Sequence, residues 1–291
     1  MLQNVIDQRR HSLGIIEVGR VLPHRERRMV GPFVFFDHMG PAQFAAGLAK
    51  EADVRPHPHI GLATISWLFD GRMMHRDSVG SVQEIVPGEV NWMTAGSGIT
   101  HSERFEHQRA HGGPLHGIQT WLALPDGMEE IDPSFAHIDA AQVPLIEEAG
   151  MRGRLIAGSA LGLTSPVPVH SPLFYFHLEL QPGAAVPMPS GEVAAYVVHG
   201  GLEVGTERIG AGQMAVFAPG AKARATAPTL LMLIGGEAVG ERYIDWNFVS
   251  SSKERIEQAK EDWRAGRFAV VPGDEEEFIP LPEKPKTVSY P

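Results

Sequence analysis

His57-Pro-His-Ile-Gly61, with Thr64 and Gly71 behind it, returns 130 positions later as Pro187-Met-Pro-Ser-Gly191, with Ala194 and Gly201 at the same spacing. A second block, Gly88-Glu-Val-Asn-Trp-Met-Thr-Ala-Gly96, returns 124 positions on as Gly212-Gln-Met-Ala-Val-Phe-Ala-Pro-Gly220. Two blocks repeated in the same order at similar offsets indicate a duplicated domain. Around them run short apolar or alternating stretches, each bounded by Gly, Pro or Asp: Ile15–Val18, Phe33–Phe36, Ala63–Phe69, Ile118–Leu124, Phe174–Leu180, Val193–Val198, Met214–Phe217 and Leu230–Ile234. That pattern predicts an all-β protein rather than alternating strand and helix.

The chain of 291 residues has 32 Gly and 23 Pro, as many short strands joined by turns would need. One helix is predicted near the end. Ser251 and Glu254 have capping-box spacing, Ile256, Ala259 and Trp263 share one helical face, and Gly266 stops the run. The expected domains are 1–135 (metal-binding), a linker over 136–165, a degenerate second domain over 166–247, and a helix with an extended tail over 248–291.

Several function classes drop out. There is no cysteine, which excludes disulfides, thiolate-bound zinc and iron–sulfur clusters. It also fits a reducing, cytoplasmic setting. No apolar run is long enough to span a bilayer, and the Arg- and His-rich first 30 residues lack a secretory core. A net charge of -10 opposes direct nucleic-acid binding. The one basic cluster, Arg20 to Arg28, reads as a solvated turn. No phosphate loop or dinucleotide fingerprint is present, and Gly96-Ser-Gly98 lacks the spacing of a nucleophile elbow. It reads instead as the tight turn that delivers His101.

The chemistry lies in two pairs, His57-x-His59 and His101-x-Glu103. Residues i and i+2 of a strand share a face, so each pair aims two ligand-type side chains one way. Two such strands facing one interior would gather three imidazoles and a carboxylate. That set suits a divalent first-row metal and leaves coordination positions open, as catalysis requires. The repeat is an internal control. The counterparts of these four residues are Pro187, Pro189, Ala225 and Ala227, none of which binds metal. Glu103, the lone carboxylate, is the candidate base as well as a ligand. His116, Gln119 and His38 are candidates for orienting the imidazoles, and Trp92 and Met93, with Phe35 and Phe36, for lining a pocket.

The stretches Arg55-Pro-His-Pro-His-Ile-Gly-Leu-Ala-Thr64 and Trp92-Met-Thr-Ala-Gly-Ser-Gly-Ile-Thr-His-Ser-Glu103 resemble the two cupin motifs in their pirin form. Phe33-Val-Phe-Phe-Asp-His-Met-Gly-Pro41 and His116-Gly-Ile-Gln-Thr-Trp-Leu-Ala-Leu124 are similar to flanking pirin segments. Where an ordinary cupin carries a first-motif Glu this chain has Thr64, the departure that pirin resemblance expects, with Glu103 supplying the carboxylate. The resemblance implies a bicupin of two tandem jelly-roll β-barrels with one Fe(II) in the first, held by His57, His59, His101 and Glu103. Nickel, manganese, copper or zinc would suit similar ligands. It also implies one of two roles: a quercetin-type flavonol dioxygenase using O2, or a redox-sensitive regulator acting through a protein partner. A monomer without membrane or direct nucleic-acid contacts is expected.

Overall fold

Alternating strands bounded by turn residues form two compact all-β units in the computed structural model, which describes residues 1–13 and 16–283. Ile15, the expected start of the first strand, and residues 284–291 of the expected tail lie outside the described residues. Each of the eight predicted strand stretches overlaps an observed strand, usually a longer one, as Leu62–Asp70 and Gly113–Ala123 illustrate.

One unit gathers Ser12–Glu17, His38–His137 and the chain from Val239 onward. A four-stranded sheet here runs in the order Val54–His59, Ile99–Arg104, Met73–Asp77, Val82–Ile85. A second sheet places Val90–Thr94, Leu62–Asp70 and Gly113–Ala123 side by side. The two sheets meet through side chains of their inner faces, the jelly-roll arrangement expected of a cupin.

Glycines let the chain close around this unit at two points. Gly61 has φ 66°, and a Cβ there would stand 2.0 Å from the carbonyl oxygen of Val249. Gly96 has φ 52°, and a Cβ there would stand 2.0 Å from the carbonyl oxygen of Ile131. Only glycine fits both the backbone conformation and the approach.

The helix falls at Lys253–Arg264 and buries Ile256 and Ala259, as its periodicity predicts. Its cap differs from the expected one. Ser252 accepts from the Arg255 amide, whereas the Ser251 hydroxyl and amide turn to Glu129. A short second helix, Glu106–His111, has no apolar periodicity to announce it.

The other unit gathers Met1–His11, Val18–Asp37 and Ile138–Ala238. Its main sheet runs Leu2–Asp7, Gln213–Phe217, Glu192–His199, Thr229–Gly236, Leu173–Leu180, Met151–Ala160, Leu145–Glu148. The stretch 136–165, expected as a linker, thus supplies two strands of this sheet. Leu155, Phe174, Phe176, Leu178, Leu231 and Leu233 fill its core together with Ala225, the counterpart of His101.

The Arg20–Arg28 stretch is only partly a solvated turn. Arg20 lies on the strand Ile16–Leu22 and binds both oxygens of buried Asp37 at 2.8 and 2.7 Å. Arg27 pairs with Glu192 at 2.5 Å. Phe35 and Phe36 belong to this unit too, Phe36 packing 4.9 Å from the Tyr196 ring. Among the described residues no helix is long and apolar enough to cross a membrane.

Candidate metal centre

The strands Val54–His59 and Ile99–Arg104 pair antiparallel, with His101 directly opposite His57. Alternation along Val54–His59 puts His57 and His59 on one face, and the pairing brings His101 to the same face. The ring centroids lie 4.4 Å apart for His57–His101 and 5.0 Å for both His57–His59 and His59–His101. One nitrogen from each ring falls within 4.8 Å of the others. All three residues are buried, none more than 6% exposed.

The hydrogen bonds around the rings set their tautomers. His57 Nδ1 donates to the Arg55 carbonyl at 2.9 Å and His59 Nδ1 to the Asn247 carbonyl at 3.0 Å, since a carbonyl can only accept. Each ring then keeps the lone pair of Nε2 for another partner. His101 has neither ring nitrogen hydrogen-bonded, though both are buried. Two orphaned polar atoms beside two available lone pairs would be costly in an apolar interior. A bound cation would take one nitrogen from each ring, satisfying both Nε2 lone pairs and one of the two His101 nitrogens. Burial holds His57 down to about 4, and His59 and His101 well below the ordinary histidine value, so the rings are neutral at physiological pH. Neutral imidazole is the form that binds metal.

Glu103 lies two residues after His101 and is 5% exposed, with its carboxylate outside the tight imidazole group. Its Oε1 accepts from Gln119 Nε2 at 2.7 Å. Burial raises the carboxyl to about 7, and the Gln119 bond pulls against that rise. Gln119 therefore orients the carboxylate rather than an imidazole. A bulge between His101 and Glu103 in the pairing with Val54–His59 interrupts the simple alternation.

Two groups at the site escaped the sequence reading. His75 sits opposite Glu103 in the neighbouring strand, with its ring 5.3 Å from His101 and stacked at 4.5 Å on Phe135. Its Nε2 bonds Asp77 Oδ2 at 2.8 Å. His75-x-Asp77 has the same i, i+2 spacing as the two recognised pairs, and that was the available signal. Trp121 sets its ring 5.0 Å from His59 at 76°. It lies opposite Thr64, the position where an ordinary cupin has its Glu.

The remaining candidates divide. Met93 pairs with Thr64 and so shares the face of Trp121. Trp92 points to the other face, buried, and donates to Thr94 Oγ1 at 2.8 Å. His38 and His116 bond each other, Nε2 to Nε2 at 2.7 Å, with Phe69 against both rings. They form a pair of their own, each with its Nε2 given to the other ring rather than to an imidazole of the cluster.

The backs of both motif strands are tied down by the returning chain. Arg104, 3% exposed, binds Asp274 through Nε at 2.8 Å and Nη2 at 2.5 Å, and Glu277 through Nη1 at 2.9 Å. Ser102 donates to the same Asp274 at 2.6 Å, and the Ile279 amide donates to the Pro56 carbonyl at 2.8 Å.

Comparison with known proteins gives consistent results. A model of the pirin family matches residues 15–122, and one of the pirin C-terminal cupin domain matches residues 175–269. The chain is 59% identical to a pirin-like protein of Caulobacter vibrioides over 288 residues, 97% of this chain and 100% of that one. It is 30% identical to human pirin over 270 residues, 88% of this chain and 89% of the other. A crystal structure of quercetin 2,3-dioxygenase from Acinetobacter baumannii superposes with a TM-score of 0.88 at 34% identity, covering 97% of this chain and 96% of that one.

Proposed function

The chain belongs to the pirin family, and from that premise we propose that it is an Fe(II)-dependent dioxygenase of flavonols such as quercetin. The observation that carries the reading is the buried imidazole cluster, with both His101 nitrogens unbonded and His57 and His59 held as Nδ1–H tautomers. The likeness to a quercetin 2,3-dioxygenase structure over nearly the whole chain supports the substrate class.

His57, His59, His101 and Glu103 would hold the metal. When bound, it supplies Lewis acidity that lowers the pKa of a coordinated hydroxyl and a place for dioxygen. The protein's own residues do the rest. Glu103 receives the proton of the flavonol 3-hydroxyl, and Gln119 keeps the carboxylate turned towards it through the bond to Oε1. Trp121, Met93 and Phe135 offer apolar surface on the interior side, where a flat ring system loses water on entry.

The test is elemental analysis of the purified protein followed by anaerobic mixing with quercetin. We expect iron at one equivalent and no change in flavonol absorbance until oxygen is admitted. His101→Ala and Glu103→Ala are each expected to lose both metal and turnover. Consumption of quercetin without oxygen would overturn the reading, as would metal-loaded protein inert towards a flavonoid panel.

A further inference from the structure

The metal unit has a cavity on the side of its motif strands opposite the imidazoles. It encloses about 700 Å³ between the strand residue Thr100 and the chain that follows the C-terminal helix. That volume lies within the range of small-molecule sites. Its walls are aromatic. Trp263 meets Phe268 at 5.7 Å and 81°, and Phe278 at 5.7 Å and 85°, so two rings stand perpendicular to the indole. Phe278 is 57% exposed, high for a residue of that size.

Two polar features give the cavity a chemical preference. Thr100 is 2% exposed and its Oγ1 has no hydrogen-bond partner. A buried hydroxyl in that condition calls for a ligand atom or an ordered water. The rim is acidic. Asp274 and Glu277 are engaged by Arg104, while Glu275 and Glu283 are exposed and make no ion pair among the described residues. The one cation of the lining, Arg264, is paired with Glu261. Three aromatic rings, two carboxylates without an ion pair among the described residues and a hydroxyl with free lone pairs all favour an incoming N–H-bearing cation.

We propose that this cavity binds a small apolar amine, with its hydrocarbon part against Trp263, Phe268 and Phe278 and its ammonium between Thr100 Oγ1 and the acidic rim. The site is independent of the metal reading, because the pairs that face the imidazoles and the residues that line this cavity point to opposite sides of the same strands.

The test is calorimetric titration of the full-length, metal-loaded protein with 2-phenylethylamine, and with phenylacetate as a probe of equal size and opposite charge. We expect the amine to bind at one equivalent and phenylacetate not to bind. Thr100→Val should weaken the amine about fivefold, the effect of one lost hydrogen bond. Phe278→Ala, at an exposed position that the fold tolerates, should weaken it about tenfold. The double change Glu275→Gln with Glu283→Gln should make the affinity less sensitive to salt. Metal content measured on each variant shows that the neighbouring centre is intact. Equal binding of both probes, or an amine affinity unmoved by Thr100→Val and Phe278→Ala, would overturn the proposal.

Discussion

At the scale of single residues, the centre depends on which nitrogen of each imidazole is already occupied. His57 and His59 spend Nδ1 on backbone carbonyls, so the proton count is settled before any ion arrives. Gln119 fixes the orientation of the Glu103 carboxylate. Gln119→Leu should weaken metal binding about tenfold, as loss of a partner that orients a ligand does, with the fold retained; a competition titration against a chelator measures it. The two recognised pairs, His57-x-His59 and His101-x-Glu103, were legible because strand alternation places i and i+2 together. His75 was legible by the same spacing but had no partner pair to draw attention to it. The Asn247 carbonyl was not legible at all. A backbone acceptor has no side-chain signature, and it lies 188 positions from the ring it serves.

At the scale of elements, the strand Ile99–Arg104 carries two opposed loads. His101 and Glu103 serve the interior, while Ser102 and Arg104 are bound on the back by Asp274. Asp274→Ala would remove the Ser102 bond and two Arg104 bonds but leave Arg104 paired with Glu277 and Asp53. It should therefore destabilise the protein by about 2 kcal/mol in chemical denaturation, the loss of hydrogen bonds to a charged group, and should also lower metal affinity, because the strand that presents His101 loses its backing. Asp274 also has its carboxyl held below the usual range, by the Arg104 and Ser102 bonds against the opposing effect of burial. The helix gives a smaller test. Ser252→Ala should cost about 1 kcal/mol, the usual loss of a cap, while Ser251→Ala should not act through the helix. The strands themselves were readable from turn residues and alternation. The cap was misassigned by one position because only Ser251 has a Glu three residues on, yet Glu129 takes its hydroxyl and leaves the capping to Ser252.

At the scale of the whole molecule, the duplication was legible from its glycines, and the loss of ligands in the second copy is matched by an apolar core there. The assignment of the chain from Val239 onward to the metal unit was not, since long-range return of a segment leaves no local pattern. Bound metal should raise the stability of the protein by about 2.7 kcal/mol at a hundredfold excess over Kd; thermal melts with and without chelator measure this. The second unit supplies a pH dependence of its own. Burial, aided by Arg154, holds His177 down to about 4 from an ordinary 6.5. The unfolded chain then binds a proton that the folded one does not. Stability is full above pH 6.5 and is lost as pH falls towards 4. The loss from this group should be about 3 kcal/mol, and urea melts of the wild type and His177→Gln at both ends of that range should differ by that amount.

The crowding at Gly61 has a genetic consequence. This residue offers no ligand atom, yet a single methyl group there would drive Val249 away and take the neighbouring Asn247 carbonyl from His59. A screen for inactive alleles should recover alanine at this position alongside the histidines themselves, and its protein should regain occupancy at high iron concentration where theirs would not.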